Sequence, residues 1–315
     1  MKKFLMSYLP YVIIFFLSGS FPASAQKQEI PKPLRIGYSL SISSITPEKM
    51  NYAKSVGVDC IEISGINGLI DKGTFNFKIS AGEIDKLVKK VKKATDDAGI
   101  KIWSVHMPFS DKIDLSVAND KERQEVVALH KKILEFCRFL QPEIILFHPS
   151  FYLGLNERET RKNQLIKSAI ELKEAVTDMH AVIVIENMLG PELLADPKRE
   201  RPLCRTVEET VEIMNRLPPD IFSAIDMNHI KNPEILIRAM GKRLKTVHIS
   251  DGNGEQECHY FPCSGQGQNN WTAILSALNS VGYTGPFMYE SAFKDVKDMK
   301  ECYDTFYKKF VMKKS

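Results

Sequence analysis

Four short apolar runs in this 315-residue chain each end on a side chain able to bind a metal ion. They are Val182 to Glu186, Phe222 to Asp226 (followed at once by Met227, Asn228 and His229), Leu244 to His248, and Pro286 to Glu290. Two further runs, Ile102 to His106 and Ile144 to His148, end on histidine. Charged groups are rarely buried unless they are paired or bound to metal. A chain that repeatedly places one at the end of a strand-like run must therefore bring those ends together. A closed barrel of parallel strands does so, because all its strand ends meet at one rim.

The order of elements supports this architecture. Strands are expected at Leu34–Leu40, Cys60–Ser64, Ile102–His106, Ile144–His148, Val182–Glu186, Ile221–Asp226, Leu244–Ile249 and Pro286–Glu290. Helices are expected at Pro47–Val56, Gly82–Ala98, Asn119–Leu140, Glu157–His180, Thr206–Arg216, Pro233–Met240, Trp271–Val281 and Lys294–Phe310. Helix starts are marked by Thr46-Pro47, by Thr206 with Glu209, and by Asn232-Pro233. The strands are short and apolar throughout, as expected when both faces of a parallel sheet are covered. One continuous strand–helix alternation points to a single (β/α)8 TIM barrel. A doubly wound open sheet is the structural alternative. It would normally carry a Gly-rich turn after its first strand, which Ile36-Gly-Tyr-Ser-Leu-Ser lacks.

Residues 1–25 read as a secretory signal peptide: Lys2 and Lys3, an apolar centre from Leu9 to Leu17, and Ala23-Ser24-Ala25 before Gln26. Residues 26–315 are then the barrel domain, in an exported, periplasmic or secreted protein. The apolar centre is too short to span a bilayer comfortably, and no second long run follows, so no stable membrane span is expected after cleavage. The chain holds 43 basic and 39 acidic residues, and loss of Lys2 and Lys3 leaves a net charge of +2. That balance gives no reason to expect a nucleic acid partner. The basic run Lys86 to Lys93 falls on a helix whose other side carries Ile84, Leu87, Val88 and Val91, so it reads as a solvated face. Of six cysteines, Cys60 and Cys137 lie in apolar runs as buried thiols, and Cys258 is near enough in sequence to Cys263 to pair across a loop.

Glu186, Asp226, His248 and Glu290 form a mixed oxygen and nitrogen ligand set for one divalent ion, Mn²⁺, Mg²⁺, Co²⁺ or Zn²⁺. Without thiolate ligands, a purely structural zinc site is disfavoured. Such an ion can grip two adjacent oxygens of a keto-sugar and acidify the C–H between them, favouring an enediolate. Two glutamates flanking that carbon can remove and return a proton.

The arrangement resembles the xylose isomerase-like TIM-barrel superfamily over nearly all of residues 26–315. The resemblance rests on Glu186-Asn187, Asp226-x-x-His229, His248-Ile-Ser-Asp251, Tyr289-Glu290 and the run Pro262 to Trp271 with Gly265-Gln-Gly267. It implies a sugar isomerase or epimerase in which Glu186, Asp226, His248 and Glu290 hold the metal. Glu186 and Glu290 would also act as acid and base, with His229 contacting substrate. His106, His148, Glu192 and Asp251 are further substrate-binding candidates. Glu62, ending the second strand, reads as a buried hydrogen-bonding carboxylate. Ketose epimerases carry a sugar-contacting Arg six residues after the strand-seven His, where this chain has Gly254.

Three alternatives follow. A lyase or hydratase of 3-keto-glycosides would use the same enolising ion to drive β-elimination. Type IV apurinic endonucleases share His106, His148, Glu186, Asp226, His229, His248 and Glu290, but their third metal needs an Asp-x-His pair. Between Asp251 and Gly265 only His259 stands out. A non-catalytic carbohydrate-binding protein would need no metal. The expected partner is a small carbohydrate, with homo-oligomerisation left open.

Overall fold

The computed structural model describes residues 30–190 and 198–312. The signal-peptide expectation for residues 1–25 and the candidate Glu192 lie outside the described residues. From Pro31 onward the chain forms one compact unit. Its eight barrel strands are β1 (Ile36–Ser41), β2 (Cys60–Ser64), β3 (Lys101–His106), β4 (Ile144–Phe147), β5 (Val182–Glu186), β6 (Phe222–Asp226), β7 (Leu244–Ile249) and β8 (Phe287–Tyr289). They pair in parallel around a closed circuit, with β8 returning to β1 through Ile36–Phe287 and Tyr38–Tyr289.

The eight main helices are α1 (Pro47–Ser55), α2 (Ala81–Ala98), α3 (Asp120–Leu140), α4 (Arg158–Thr177), α5 (Val207–Arg216), α6 (Pro233–Met240), α7 (Trp271–Ser280) and α8 (Val296–Met312). The expected (β/α)8 barrel is therefore present, with strand and helix ends displaced by a few residues. The fourth helix, Arg158–Thr177, loses four of its expected residues, and among the strands the largest trims are in the first and last. The first strand starts at Ile36 rather than Leu34, and the last covers only Phe287–Tyr289.

Local chemistry explains where the helices start. Thr46 accepts a hydrogen bond from Lys49 N at the head of α1, where Pro47 has no N–H to leave unsatisfied. Ser80 and Glu83 form a reciprocal capping box on α2. Thr206 caps α5 through Glu209 N, and Asn270 caps α7 through Ala273 N. On α2 the residues Ile84, Val88, Val91 and Ala94 are buried. The lysines opposite pair at i, i+4 spacing, Lys89 with Asp85, Lys92 with Asp96 and Lys93 with Asp97. The basic run is thus a solvated helix face, as its spacing indicates.

Seven residues supplied by barrel strands alone form an interior apolar cluster: Cys60, Trp103, Ile144, Leu146, Val184, Ala224 and Met288. Successive side chains along a strand point to opposite faces, so residues two apart share a side. Two positions beyond Cys60, Leu146, Val184, Ala224 and Met288 come Glu62, His148, Glu186, Asp226 and Glu290. The candidate site is the next layer of the barrel interior, where apolar packing gives way to acids and imidazoles.

The cysteines give one correction. Cys60 and Cys137 are buried thiols, as expected, but Cys263 pairs with Cys302 on α8 rather than with Cys258. The Cα atoms of the bonded pair are 5.8 Å apart across a sequence separation of 39. Closeness in sequence does not aim two Cβ atoms at one another. Cys263 lies in a short 3-10 turn, Pro262–Ser264, that packs toward α8, whereas Cys258 precedes the antiparallel bridge between Asp251 and Tyr260.

Candidate metal centre

His248, at the C-terminal end of β7, is fully buried and ringed by carboxylates. Its Nδ1 lies 2.8 Å from Glu186 Oε1 and 2.8 Å from Glu290 Oε2, and its Nε2 lies 3.0 Å from Glu62 Oε2. Asp226 completes the group: one ligand atom from each of Glu186, Asp226, His248 and Glu290 falls within 4.8 Å of the other three. Burial disfavours a charged imidazole, but Glu290, Glu62 and Glu186 outweigh it and hold His248 well above the usual histidine range. Burial likewise disfavours ionised Glu290, yet His248 and His106 hold it well below the usual carboxylate range.

The chemistry of the donor set fits a divalent cation. Glu186 Oε2 and Asp226 Oδ2 are buried and have no hydrogen-bond partner. Leaving such oxygens unpaired is costly, and a metal ion would satisfy both. The other oxygen of Asp226 is fixed, accepting from Asn228 N at 2.7 Å and from Ser250 Oγ at 2.7 Å. Asn187 locks the strand end, its Oδ1 accepting from Asp226 N at 2.8 Å. Hydrogen bonds of this kind orient ligating groups before the ion arrives.

A second group flanks Glu186. His106 Nε2 is 3.7 Å and His148 Nε2 is 3.6 Å from Glu186 Oε2, and the two imidazoles are 4.6 Å apart at their centroids. Phe109 stacks on His148 at 4.2 Å. Burial, reinforced by the neighbouring histidines, pushes His148 well below the usual range, so it stands as a neutral imidazole able to act as ligand or base.

A third group involves a residue that the sequence reading passed over. Glu257 Oε1 lies 3.1 Å from His229 Nε2 and 2.9 Å from His259 Nε2, while Asp226 Oδ2 is 3.4 Å from His229 Nε2. The second nitrogen of each ring faces a carbonyl: His229 Nδ1 at 2.9 Å from Asn187 O, and His259 Nδ1 at 2.9 Å from Glu290 O. Burial opposes charge on both rings. Asp226 and Glu257 outweigh it and push each up to about 10. His259 therefore does not stand alone. The signal in the sequence was Glu257-Cys258-His259, two donors two residues apart on an extended loop.

Asp251 is held by its own loop. Its Oδ1 accepts from Asn269 N at 3.0 Å and Gly252 N at 2.9 Å, and its Oδ2 accepts from Trp271 Nε1 at 3.1 Å. With both oxygens engaged, Asp251 braces the loop between β7 and α7. A Cβ at Gly267 would lie 2.0 Å from the Asp251 carboxylate, so glycine at 267 is needed for that close approach. His106, His148, Glu186, Asp226, His229, His248 and Glu290 all gather at the rim, as their strand positions predict.

Fold and rim together define a (β/α)8 barrel with an acid- and histidine-lined centre at the C-terminal strand ends. Residues 50–304 match the family described as xylose isomerase-like TIM barrel, and the chain belongs to that family. No curated protein matches the chain in sequence. Among solved structures, a D-tagatose 3-epimerase-like protein is similar with a TM-score of 0.68 at 20% identity, covering 88% of this chain and 99% of its own. The 3-keto-D-glucoside 4-epimerase from E. coli, in its apo form, is similar with a TM-score of 0.63 at 16% identity, covering 86% and 99%. A D-allulose 3-epimerase from Methylomonas sp. is similar with a TM-score of 0.65 at 18% identity, covering 90% and 100%. At these identities the likeness is one of fold.

Proposed function

We propose that this protein is a divalent-metal-dependent isomerase or epimerase of keto-sugars or related carbohydrates. The observation that carries the proposal is the convergence of Glu186, Asp226, His248 and Glu290, with a buried oxygen of Glu186 and one of Asp226 that accept no hydrogen bond among the described residues. When bound there, a divalent ion supplies Lewis acidity to two adjacent substrate oxygens and so acidifies the intervening C–H. Glu186 and Glu290 both stand beside His248 Nδ1, and in this reading one carboxylate takes the proton from the substrate carbon and the other returns one. Glu290 is held ionised by His248, as a base must be. In this reading His106 and His148, 3.7 and 3.6 Å from Glu186 Oε2, hold substrate hydroxyls. Asn187 holds Asp226 by its backbone and Ser250 holds it by its carboxylate. In this reading the protein acts outside the cytoplasm, after removal of residues 1–25.

A lyase acting on 3-keto-glycosides is the second reading. Gly254 favours it, because the sugar-anchoring Arg of ketose epimerases has no counterpart at that position. The fold likeness to a 3-keto-D-glucoside 4-epimerase points to the same substrate class. Both readings are tested by metal analysis of purified protein together with a keto-sugar and 3-keto-glucoside screen in D₂O. Deuterium wash-in without cleavage identifies an epimerase, and release of the aglycone identifies a lyase. Exchange that survives chelation of the metal would refute both.

A further inference from the structure

The barrel interior holds one acid that the proposed chemistry does not use. Glu62 on β2 is fully buried, and its Oε2 lies 3.0 Å from His248 Nε2, on the opposite side of that ring from Glu186 and Glu290. The two residues are 186 positions apart, so only closure of the barrel brings them together. Glu62 is itself held in place: Ser104, its register partner on β3, donates through Oγ to the same Oε2 at 2.7 Å. Its other oxygen, Oε1, is buried without a partner. A carboxylate kept out of water at such a site, one layer beyond the apolar cluster of Cys60, Leu146 and Val184, requires a compensating role.

We propose that Glu62 is a positioning residue for the metal centre. It accepts the Nε2–H of His248, so that Nδ1, on the side of Glu186 and Glu290, is the nitrogen that would give up its proton and ligate when an ion binds. The inference rests on the reading that Glu186, Asp226, His248 and Glu290 hold a divalent ion. An imidazole has one lone pair per neutral ring, and a carboxylate on the far nitrogen decides which nitrogen carries it while raising its basicity. Because both oxygens of Glu62 are out of water, and Ser104 holds the one facing His248, the ring cannot swing or flip without stranding a buried acid.

The test uses the full chain. Mn²⁺ affinity is measured by the loss of the free-ion EPR signal in wild type, Glu62→Gln, Glu62→Leu and Ser104→Ala, with thermal melts of each apoprotein. Glu62→Leu is expected to weaken Mn²⁺ binding about 10- to 100-fold, the usual effect of losing such a partner. Glu62→Gln, whose amide oxygen still accepts from Nε2–H, is expected to recover most of that affinity. Independently, long-range ¹⁵N–¹H spectra of histidine-labelled, Zn²⁺-loaded wild type should show His248 protonated on Nε2. Binding by folded Glu62→Leu within twofold of wild type, or a His248 proton on Nδ1 in the Zn²⁺ form, overturns the inference. Should Glu62→Leu fail to fold, the wild-type spectrum decides. Wild type that takes up no Mn²⁺ at all defeats the metal reading and this inference together, whereas a normal wild type beside an unaffected Glu62→Leu defeats only the role of Glu62.

Discussion

Gly254 packs so tightly against Lys231 that a Cβ added to it would lie 2.3 Å from the Lys231 backbone nitrogen. Its φ of +76° is also in the left-handed region that other residues adopt at a cost. An arginine at this position would therefore need a different backbone as well as more space. Gly254→Arg should not create free-ketose epimerisation. It should lower stability by about 1–3 kcal/mol, from strain and steric overlap, which a thermal melt beside wild type would read. A variant as stable as wild type would show that the loop relaxes freely.

Glu290, kept ionised beside His248, is one of the two carboxylates assigned to proton transfer. Glu290→Gln removes its charge beside His248 while preserving shape. Solvent deuterium exchange into a substrate should fall about 10²–10⁴-fold, the span usual for a general base. Measuring bound metal in the same sample separates lost proton transfer from lost metal. Unchanged exchange would remove Glu290 from the chemistry.

The disulfide between Cys263 and Cys302 ties the loop that follows His259 to α8. For a closed segment with a separation of 39, chain entropy alone gives a stabilisation of about 3–4 kcal/mol. Cys302→Ser, or thiol reduction, should lower the melting temperature and loosen the β7–α7 segment. Hydrogen exchange at Tyr260 N, which bonds Asp251 O at 2.9 Å, would report that loosening directly.

His130 on α3 supplies a pH dependence remote from the rim. It is fully buried against Phe147 with Nδ1 unpartnered, and burial lowers it to about 3 from an ordinary 6.5. The folded state keeps this ring neutral while the unfolded chain takes up a proton as pH falls below 6.5. Its contribution is thus complete above that value and declines toward pH 3. Between pH 7 and 5.5, wild type should lose about 1 kcal/mol relative to His130→Leu. Denaturant unfolding at the two pH values checks this, and parallel pH profiles for the two proteins would contradict it.

Much of the site was legible because its residues obey the strand period. Glu186, Asp226, His248 and Glu290 end apolar runs, and each shares a barrel face with the residue two positions before it. What escaped the sequence depended on loops or on contacts across the barrel. Glu257 gave no periodic signal, since the segment after β7 is irregular and its course is set by the Asp251–Tyr260 bridge. Asp251 was expected among the substrate-binding residues, and its engagement by its own loop, through the Asn269 and Trp271 donors, could not be read from the sequence. Glu62 was visible as a buried acid, while its partner was not.

The amino-acid order alone determined the eight strand–helix units and the acids and imidazoles that cap them, because burial and side-chain alternation are local and periodic. Only the closed barrel decided which of those groups touch: His248 with Glu62, His229 with Glu257, Cys263 with Cys302. Those pairings depend on where distant segments come to rest, and no local periodicity encodes that.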